Sequence, residues 1–252
     1  MCIRDSYGIV GVALLSALLP RMSRAASRGD LEGVVADLAL GTRLSAAGLL
    51  PVTALLVVLG PAVAAVMFAH GQTTLSEARG TGTALALAAF GLLPMAVTLL
   101  QLRVFYAMRD ARTPTLIQLA MVAVRVPLLL ALPHVLAWEH VVAGIMVATS
   151  ATYVAGWVVG DVLLRRRLGR VRTPGVLSGI GRMLVVSAVA AVLGGLVTTI
   201  TDSAFGRSVP GSLVTLLVGT VVIGTAVVAG AVVARVPEVR APVAAVRARL
   251  GR

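Results

Sequence analysis

The sequence contains no lysine, a single cysteine and three histidines among its 252 residues. Without lysine it cannot contain the glycine-rich loop that ends in lysine and binds nucleotide phosphates. Cys2 alone supports neither a disulfide nor a thiolate metal site. His70, His134 and His140 have no cluster of Cys, Asp or Glu beside them at metal-ligand spacing. These absences argue against an enzyme and against a bound metal or other cofactor.

Charged residues are also scarce. They make up 13% of the chain, whereas 58% is hydrophobic and the mean hydropathy is +0.99. A water-soluble domain of this length could not bury so many apolar side chains. The apolar stretches have the length of helices that cross a bilayer, and helices satisfy every backbone polar group in lipid. The composition therefore predicts an all-α, polytopic membrane protein.

Seven apolar stretches reach or approach the ~20 residues that cross a bilayer core of about 30 Å. They are residues 7–20, 46–69, 82–107, 115–136, 141–164, 180–200 and 212–234. The first of them is short. The sequence therefore predicts about seven transmembrane helices.

All 22 cationic side chains are arginine, and their distribution is uneven. Seventeen lie in one set of segments, namely the C-terminal tail and the loops near residues 21–43, 108–114 and 165–182. The alternate loops, near residues 70–80, 134–140 and 201–211, hold only Arg79 and Arg207. By the positive-inside rule, the arginine-rich loops and the C-terminus are predicted to be cytoplasmic. We expect these arginines to meet anionic lipid headgroups rather than nucleic acid.

The first six residues, Met1–Ser6, show no signal-peptide pattern, although the arginine distribution places the start of the first span outside. The apolar run that begins at Tyr7 is also too short to span comfortably. We therefore expect Met1–Ser6 to be a non-native leader and Tyr7 to lie within a longer protein.

Two segments carry signals for helix starts. Asp30 can cap a helix over residues 31–44, which either lies on the cytoplasmic surface or extends the second span out of the bilayer. The tripeptide Arg-Thr-Pro at 112–114 and 172–174 suits a start with Thr as N-cap and Pro as the first helical residue. Asp110 and Arg112 are expected to form a weak salt bridge that fixes the preceding turn.

Arg125 is the most unusual residue, because it lies about ten residues, or about 15 Å, from either end of its span. A guanidinium at this depth costs several kcal/mol unless it faces water, a partner or an anionic ligand. Its bidentate geometry suits a phosphate. The alternative is a structural pair with Asp161. Arg103 lies about one turn from the cytoplasmic end of its span, where snorkelling explains it.

Two segments resemble a known family. Residues 103–114 read RVFYAMRDARTP, which resembles the R-x-F-Y-A-x-x-D-x-R/K-T-P signature of the MurJ (MviN) lipid II flippase family. Residues 8–23 read GIVGVALLSALLPRMS and resemble that family's G-x-x-G-V-A-x-x-T-x-L-L-P-x-L-S stretch, with Ser16 replacing Thr and Met22 replacing Leu. The similarity covers roughly residues 7–235.

The resemblance implies a fourteen-helix fold of the polysaccharide and multidrug exporter superfamily, of which this chain would form helices 8–14. Residues 7–170 would be five helices of the C-terminal lobe, 171–235 two further helices that line a groove for a lipid tail, and 236–252 a basic cytoplasmic tail. The motif positions that would form a cytoplasmic turn are Phe105, Tyr106, Asp110, Arg112, Thr113 and Pro114.

The function implied by the resemblance is transport of lipid II, the undecaprenyl-pyrophosphate-linked peptidoglycan precursor, across the bacterial cytoplasmic membrane by alternating access. This step belongs to cell wall biogenesis and maintenance of cell shape. Arg125 and Arg103 then become candidates for binding the pyrophosphate, although Arg125 matches no family motif. Alternating access needs two bodies that move against each other. Without the N-terminal lobe, we expect the chain to be inactive alone.

Two other functions are compatible with the sequence. The chain could be half of an O-antigen or drug exporter, although those usually stop at twelve helices. It could instead be a seven-helix membrane scaffold without transport activity, in which replacing Arg125 by Leu would keep or raise stability. Few acidic residues lie within the spans, so the sequence shows no carrier for proton coupling.

Overall fold

The computed structural model describes residues 13–169 and 175–236, and all regular structure within them is helical. The eight α-helices are α1 Ala13–Ser27, α2 Leu31–Phe68, α3 Leu75–Ala89, α4 Leu92–Ala107, α5 Arg112–Val135, α6 Val141–Leu168, α7 Val176–Phe205 and α8 Val209–Val233. A 3-10 turn, Trp138–His140, joins α5 to α6. The all-α prediction is confirmed. Residues outside the described ranges include Met1–Ser6, the start of the first expected span, the second Arg-Thr-Pro at 172–174 and the tail from 237 onward.

Five of the described helices are long and apolar enough to cross a membrane, namely α2 and α5 to α8. A sixth span results if α3 and α4 count as one, because they form a pair bent by 42°. The single span expected over residues 82–107 is therefore two helices. Pro94 explains the break, since it has no N–H for the Phe90 carbonyl and its ring would clash with that carbonyl in a continuous helix.

α2 runs unbroken for 38 residues. Of the two expectations for residues 31–44, the structure shows the one in which they extend the second span. Asp30 caps the helix as predicted, since the Gly33 N–H donates to Asp30 Oδ1 at 2.8 Å. Val34 and Leu38 are buried in a hydrophobic core that also contains Met22 of α1 and Phe105 of α4. The segment continues as a helix because one of its faces packs on protein.

The described residues form two compact units, and α2 contributes to both. The first unit contains residues 13–49, 87–169 and 175–177, and so includes α1, the first half of α2, α4, α5 and α6. The second contains residues 50–86 and 178–236, and so includes the rest of α2, most of α3, α7 and α8.

In the first unit, α6 packs through a stripe of mostly small residues. This α6 stripe recurs every fourth residue and consists of the buried residues Gly144, Ala148, Thr152, Gly156, Gly160 and Leu164. A Cβ atom at Gly156 would lie 2.7 Å from Met121 Sδ of α5 and 3.2 Å from Thr98 Cγ2 of α4. Small residues let helix backbones approach closely in lipid, where packing drives helix association. Gly156 and Gly160 therefore serve packing within the chain.

Polar side chains of α4 reinforce this packing with hydrogen bonds to α6. The Thr98 hydroxyl donates to the Tyr153 carbonyl and the Gln101 side-chain amide donates to the Trp157 carbonyl, both at 3.3 Å. Interhelical hydrogen bonds in lipid contribute about 0.6–2 kcal/mol each. Because Thr98 and Gln101 are both buried, their bonds also fix the register of α4 on α6.

In the second unit, α8 buries residues at the same four-residue spacing, namely Gly211, Thr215, Gly219, Ile223, Val227 and Ala231. The hydroxyls of Thr201 and Thr215 lie 2.7 Å apart and join α7 to α8. α2 and α3 meet at Gly60 and Gly82. A Cβ atom at Gly82 would lie only 2.4 Å from the Gly60 carbonyl oxygen, so the two backbones are in direct contact.

Candidate functional site

The segment 103–114 connects α4 to α5 in the first unit. Phe105 is fully buried in the core, whereas Tyr106 is 57% exposed. α4 ends with two backbone hydrogen bonds of 3.0 Å: the Asp110 N–H donates to the Phe105 carbonyl, and the Arg109 N–H donates to the Tyr106 carbonyl. Arg109 adopts φ 57°, the left-handed conformation that closes such helix ends and is usually occupied by glycine. Two backbone hydrogen bonds therefore fix this turn, and the Phe105 side chain anchors it in the core.

Asp110 organises the start of α5. Its carboxylate accepts the N–H of Arg112 at 3.0 Å, the N–H of Thr113 at 3.2 Å and the Thr113 hydroxyl at 2.6 Å. It also pairs with Arg167 from the last turn of α6, and its side chain is only 11% exposed. These contacts, with the Thr113 hydroxyl the strongest, hold the pKa of Asp110 below its ordinary value of 3.8. One carboxylate therefore connects the ends of α4, α5 and α6.

Two predictions about this turn are wrong in detail. α5 begins at Arg112, so Pro114 is the third helical residue rather than the first, and Thr113 is inside the helix. The N-terminal N–H groups of α5 are satisfied by Asp110, which takes the capping role expected of Thr113. Arg112 contacts Asp110 through its backbone N–H, and the ion pair is formed with Arg167 instead.

Arg125 lies near the middle of α5, and its side chain is exposed. Asp161 pairs with Arg165 of its own helix at 2.7 Å, and the described residues show no ion pair between Asp161 and Arg125, which was the alternative. Arg125 follows the buried Met121 by four residues, which places it about 40° around the helix, at the edge of the packed face. α5 is also the least buried of the five spans. In its most apolar 18-residue stretch 11% of the residues are buried, against 22% to 44% in the other four.

Arg103 is half-buried on α4, two residues before Phe105. It shares the first unit with Arg125 but lies on a different helix, and the structure does not bring the two side chains into contact. Within the described ranges, His, Cys, Asp and Glu side chains form no group of three or more that could hold a metal ion. The two arginines stay separate candidates for an anionic ligand.

A polar cluster that the sequence reasoning missed lies in the second unit. Arg79 of α3 donates to both carboxylate oxygens of Asp202 of α7, at 3.2 and 3.3 Å, and to the Ser212 hydroxyl of α8 at 3.2 Å. Arg207 contacts the same carboxylate at 3.4 Å. The sequence does contain one signal for this cluster. Asp202 lies just after the apolar stretch 180–200, and the loop that follows holds Arg207, one of the two arginines in the alternate loops.

Comparison with known proteins gives a consistent result. Residues 6–232 match the family model described as lipid II flippase MurJ. The chain is similar to the probable lipid II flippase MurJ of Rhizobium meliloti (strain 1021), with 28% identity over 187 residues that cover 73% of the chain and 34% of the relative. It is also similar to the probable lipid II flippase MurJ of Synechocystis sp. (strain ATCC 27184 / PCC 6803 / Kazusa), with 26% identity over 187 residues that cover 74% of the chain and 34% of the relative.

A solved structure described as lipid II flippase MurJ in an inward closed conformation has the same fold. It superposes with a TM-score of 0.68 over 91% of this chain and 44% of the solved one, at 16% identity. The chain thus spans about a third of the length of the curated relatives it matches. Because the family model matches nearly the whole chain, from residue 6 to residue 232, the resemblance of residues 8–23 and 103–114 is confirmed: the chain is a multi-pass membrane protein that belongs to the MurJ family of lipid II flippases, which are transporters and not enzymes.

Proposed function

We propose that this chain forms helices 8–14 of a lipid II flippase and takes part in moving undecaprenyl-pyrophosphate-linked peptidoglycan precursor across the bacterial cytoplasmic membrane. The observation that carries this proposal is the continuous family match over residues 6–232. The match includes the turn at 103–114, where Asp110 forms hydrogen bonds with the other motif residues Phe105, Arg112 and Thr113. Residues 7–170 supply five spans of one lobe, with α3 and α4 counted as one span, and residues 171–235 supply two helices for the lipid tail.

The proposed orientation places the α4–α5 turn, the end of α6 and the C-terminus in the cytoplasm. Seventeen arginines support it by their distribution over alternate loops. The turn around Asp110 adds structural support, because Arg109, Arg112 and Arg167 gather on one side of the first unit at the ends of three helices. Anionic headgroups of the inner leaflet are the natural partners of such a cluster.

Arg125 is the proposed contact for the substrate pyrophosphate. It lies near the centre of a span, its side chain is exposed, and α5 is the least buried span. An arginine at this depth is stabilised by an aqueous cavity or an anion, and its guanidinium can bind a phosphate through two parallel hydrogen bonds. Arg103, nearer to the proposed cytoplasmic end, is the second candidate and would contact the substrate at the inward-facing side.

The chain alone is proposed to be inactive, because alternating access requires two lobes that rock against each other. The curated relatives are about three times longer than the matched region. The activity therefore depends on a second lobe that supplies helices 1–7, and this lobe is the main protein partner that the proposal requires.

The test is complementation of a bacterium depleted of its own lipid II flippase. We expect no growth with this chain alone and restored growth when it is coexpressed with the N-terminal half of the Rhizobium meliloti relative. The matched control coexpresses that N-terminal half with the relative's own C-terminal half. Growth with this chain alone would overturn the two-lobe requirement. Failure of the mixed pair beside a working control pair would overturn the assignment to lipid II transport.

A further inference from the structure

An open cavity of about 380 Å³ lies in the first unit between α5, α6 and the end of α3. Leucines of α5 and its C-cap form one wall and small residues of α6 form the other: Leu128, Leu132 and Leu136 face Ala143, Gly144 and Ala148. A Cβ atom at Gly144 would lie 2.7 Å from the side chains of Leu132 and Leu136, so the two walls are in close contact there. Its volume is within the range of about 300–1,000 Å³ found for ligand sites.

We propose that this cavity binds one acyl chain of a phospholipid from the outer leaflet. The choice of leaflet rests on the orientation proposed above, whereas the choice of ligand rests on the cavity itself. Every lining residue except His140 is Leu, Val, Ala or Gly. Water in such a cavity would lack the two to four polar partners that hold a buried water. In a bilayer, the available molecule that matches this surface is hydrocarbon.

The length of the cavity matches one leaflet. One wall extends from Leu136, the C-cap of α5, to Leu128, which is eight residues or about 12 Å. The other wall extends from His140 to Ala151, which is eleven residues or about 16 Å. Half of a hydrocarbon core about 30 Å thick is about 15 Å. A phospholipid acyl chain spans one leaflet, whereas an undecaprenyl chain is longer. The depth therefore favours the acyl chain over the tail of the transported substrate.

The end of the cavity at His140 has the composition of a membrane interface. His140 lines it, and Trp138 in the same 3-10 turn is 87% exposed. Tryptophan is enriched at the level of lipid headgroups, because its ring is apolar and its N–H can donate to water or to headgroup oxygens. The polar headgroup would thus lie beside Trp138 and His140 while the acyl chain descends between α5 and α6.

The test is photolabelling of the full chain in nanodiscs of palmitoyl-oleoyl phosphatidylcholine that contain a phosphatidylcholine with a diazirine on one acyl chain. Labelled residues are located by mass spectrometry. We expect stronger labelling of residues 128–136 and 143–151 than of the exposed lipid face of α7 at Leu184 and Leu196. The substitution Ala143→Leu should fill the cavity and lower its labelling to the level of α7, whereas Ala123→Leu on the exposed side of α5 should leave it unchanged.

Equal labelling of the cavity and the α7 face in the unmodified chain would overturn the proposal, even if Ala143→Leu fails to fold. Unchanged cavity labelling in a folded Ala143→Leu variant would also overturn it. Displacement of the label by undecaprenyl phosphate, but not by unlabelled phosphatidylcholine, would assign the cavity to a polyprenyl chain instead. None of these measurements involves transport, so they succeed or fail independently of the flippase proposal.

Discussion

Arg79 and Asp202 form a two-point ion pair, with Nη1 3.2 Å from Oδ2 and Nη2 3.3 Å from Oδ1. Their side chains are only 20% and 25% exposed. Arg207, at 78% exposure, contacts the same carboxylate. The two arginines that depart from the overall charge distribution thus share one aspartate as their ion-pair partner. This contact holds α3 to the α7–α8 hairpin within the second unit.

Replacing Arg79 by Ala should lower the free energy of unfolding by about 1–3 kcal/mol, because it leaves a largely buried carboxylate without its main partner. A double-mutant cycle with Asp202→Ala, measured by denaturant titration in detergent micelles, should show that the two effects are not additive. The control is Arg207→Ala, which should change stability by less than about 0.5 kcal/mol because the Arg207 side chain is exposed to solvent. Equal effects of the two arginine substitutions would contradict the assigned roles.

Gly82 and Gly80 provide a matched test of helix packing, since both lie on α3. A side chain at Gly82 would collide with backbone atoms of Gly60 and Pro61, whereas a Cβ at Gly80 meets nothing within 4 Å. We expect Gly82→Ala to destabilise the protein by about 1–3 kcal/mol through overpacking. Gly80→Ala should be neutral or stabilising by up to about 1 kcal/mol. The measurement is the midpoint of thermal unfolding by circular dichroism, and a stable Gly82→Ala variant would contradict the close contact.

Asp110→Asn should destabilise the turn by about 1 kcal/mol at neutral pH, because it weakens the helix cap and the pair with Arg167. The folded pKa of Asp110 is lowered from 3.8. The stabilisation is therefore complete above the unfolded pKa and is lost as pH falls through the folded pKa.

The difference in thermal stability between the unmodified chain and Asp110→Asn should stay constant from about pH 7 to 5 and shrink below about pH 4. The control is Thr115→Ala, whose hydroxyl donates only to the Ala111 carbonyl of its own helix. Its effect should not vary over this range. A difference for Asp110→Asn that grows on acidification would show that the carboxylate is not stabilising.

Arg125→Leu should leave the stability of the isolated chain unchanged or higher, because the exposed guanidinium has no packing role in the first unit. In the two-lobe complementation system, the same change should lower transport. The loss of a charge-assisted bidentate contact worth about 1.5–3 kcal/mol corresponds to about a ten- to hundredfold lower rate. Arg125→Lys should restore part of the activity by keeping the charge. Full activity of Arg125→Leu would show that Arg125 does not bind the substrate.

The proposed orientation can be tested with single cysteines in a Cys2→Ser background. Ser27 is the last residue of α1, on the proposed cytoplasmic side, and Ser76 lies in the first turn of α3 on the proposed outer side; both are exposed. A membrane-impermeant maleimide should label Ser76→Cys in intact spheroplasts and Ser27→Cys only after permeabilisation. The reverse pattern would invert the topology.

Local chemistry in the sequence predicted a large part of this structure. The all-α class follows from composition, and the Asp30 cap follows from one side chain within reach of its own helix start. The break between α3 and α4 was harder, because apolar character continues across Phe90 and Gly91 while the cause, Pro94, is a backbone effect. The continuation of residues 31–44 into α2 depends on a core contributed by distant helices.

The contacts of charged residues were the least predictable part of the site. The pair of Asp110 with Arg167 spans 57 residues, whereas proximity in the sequence favours the nearer Arg112. The sequence gives no sign that Asp202 pairs with Arg79, which lies 123 residues away on another helix. The depth of Arg125 could be predicted from the length of its helix. Whether Arg125 pairs with Asp161 could not, because it depends on how α5 and α6 pack against each other.

The separation of Arg79 and Asp202 has a consequence for biosynthesis. At a synthesis rate of about 5–20 residues per second, the 123 residues between them take roughly 6–25 s to emerge from the ribosome. In the proposed topology, Arg79 is translocated during this interval without its carboxylate partner. α3 must therefore tolerate an unpaired cation at its outer end until the last hairpin is inserted. A nascent chain that stalls before α7 would expose this defect to membrane quality control.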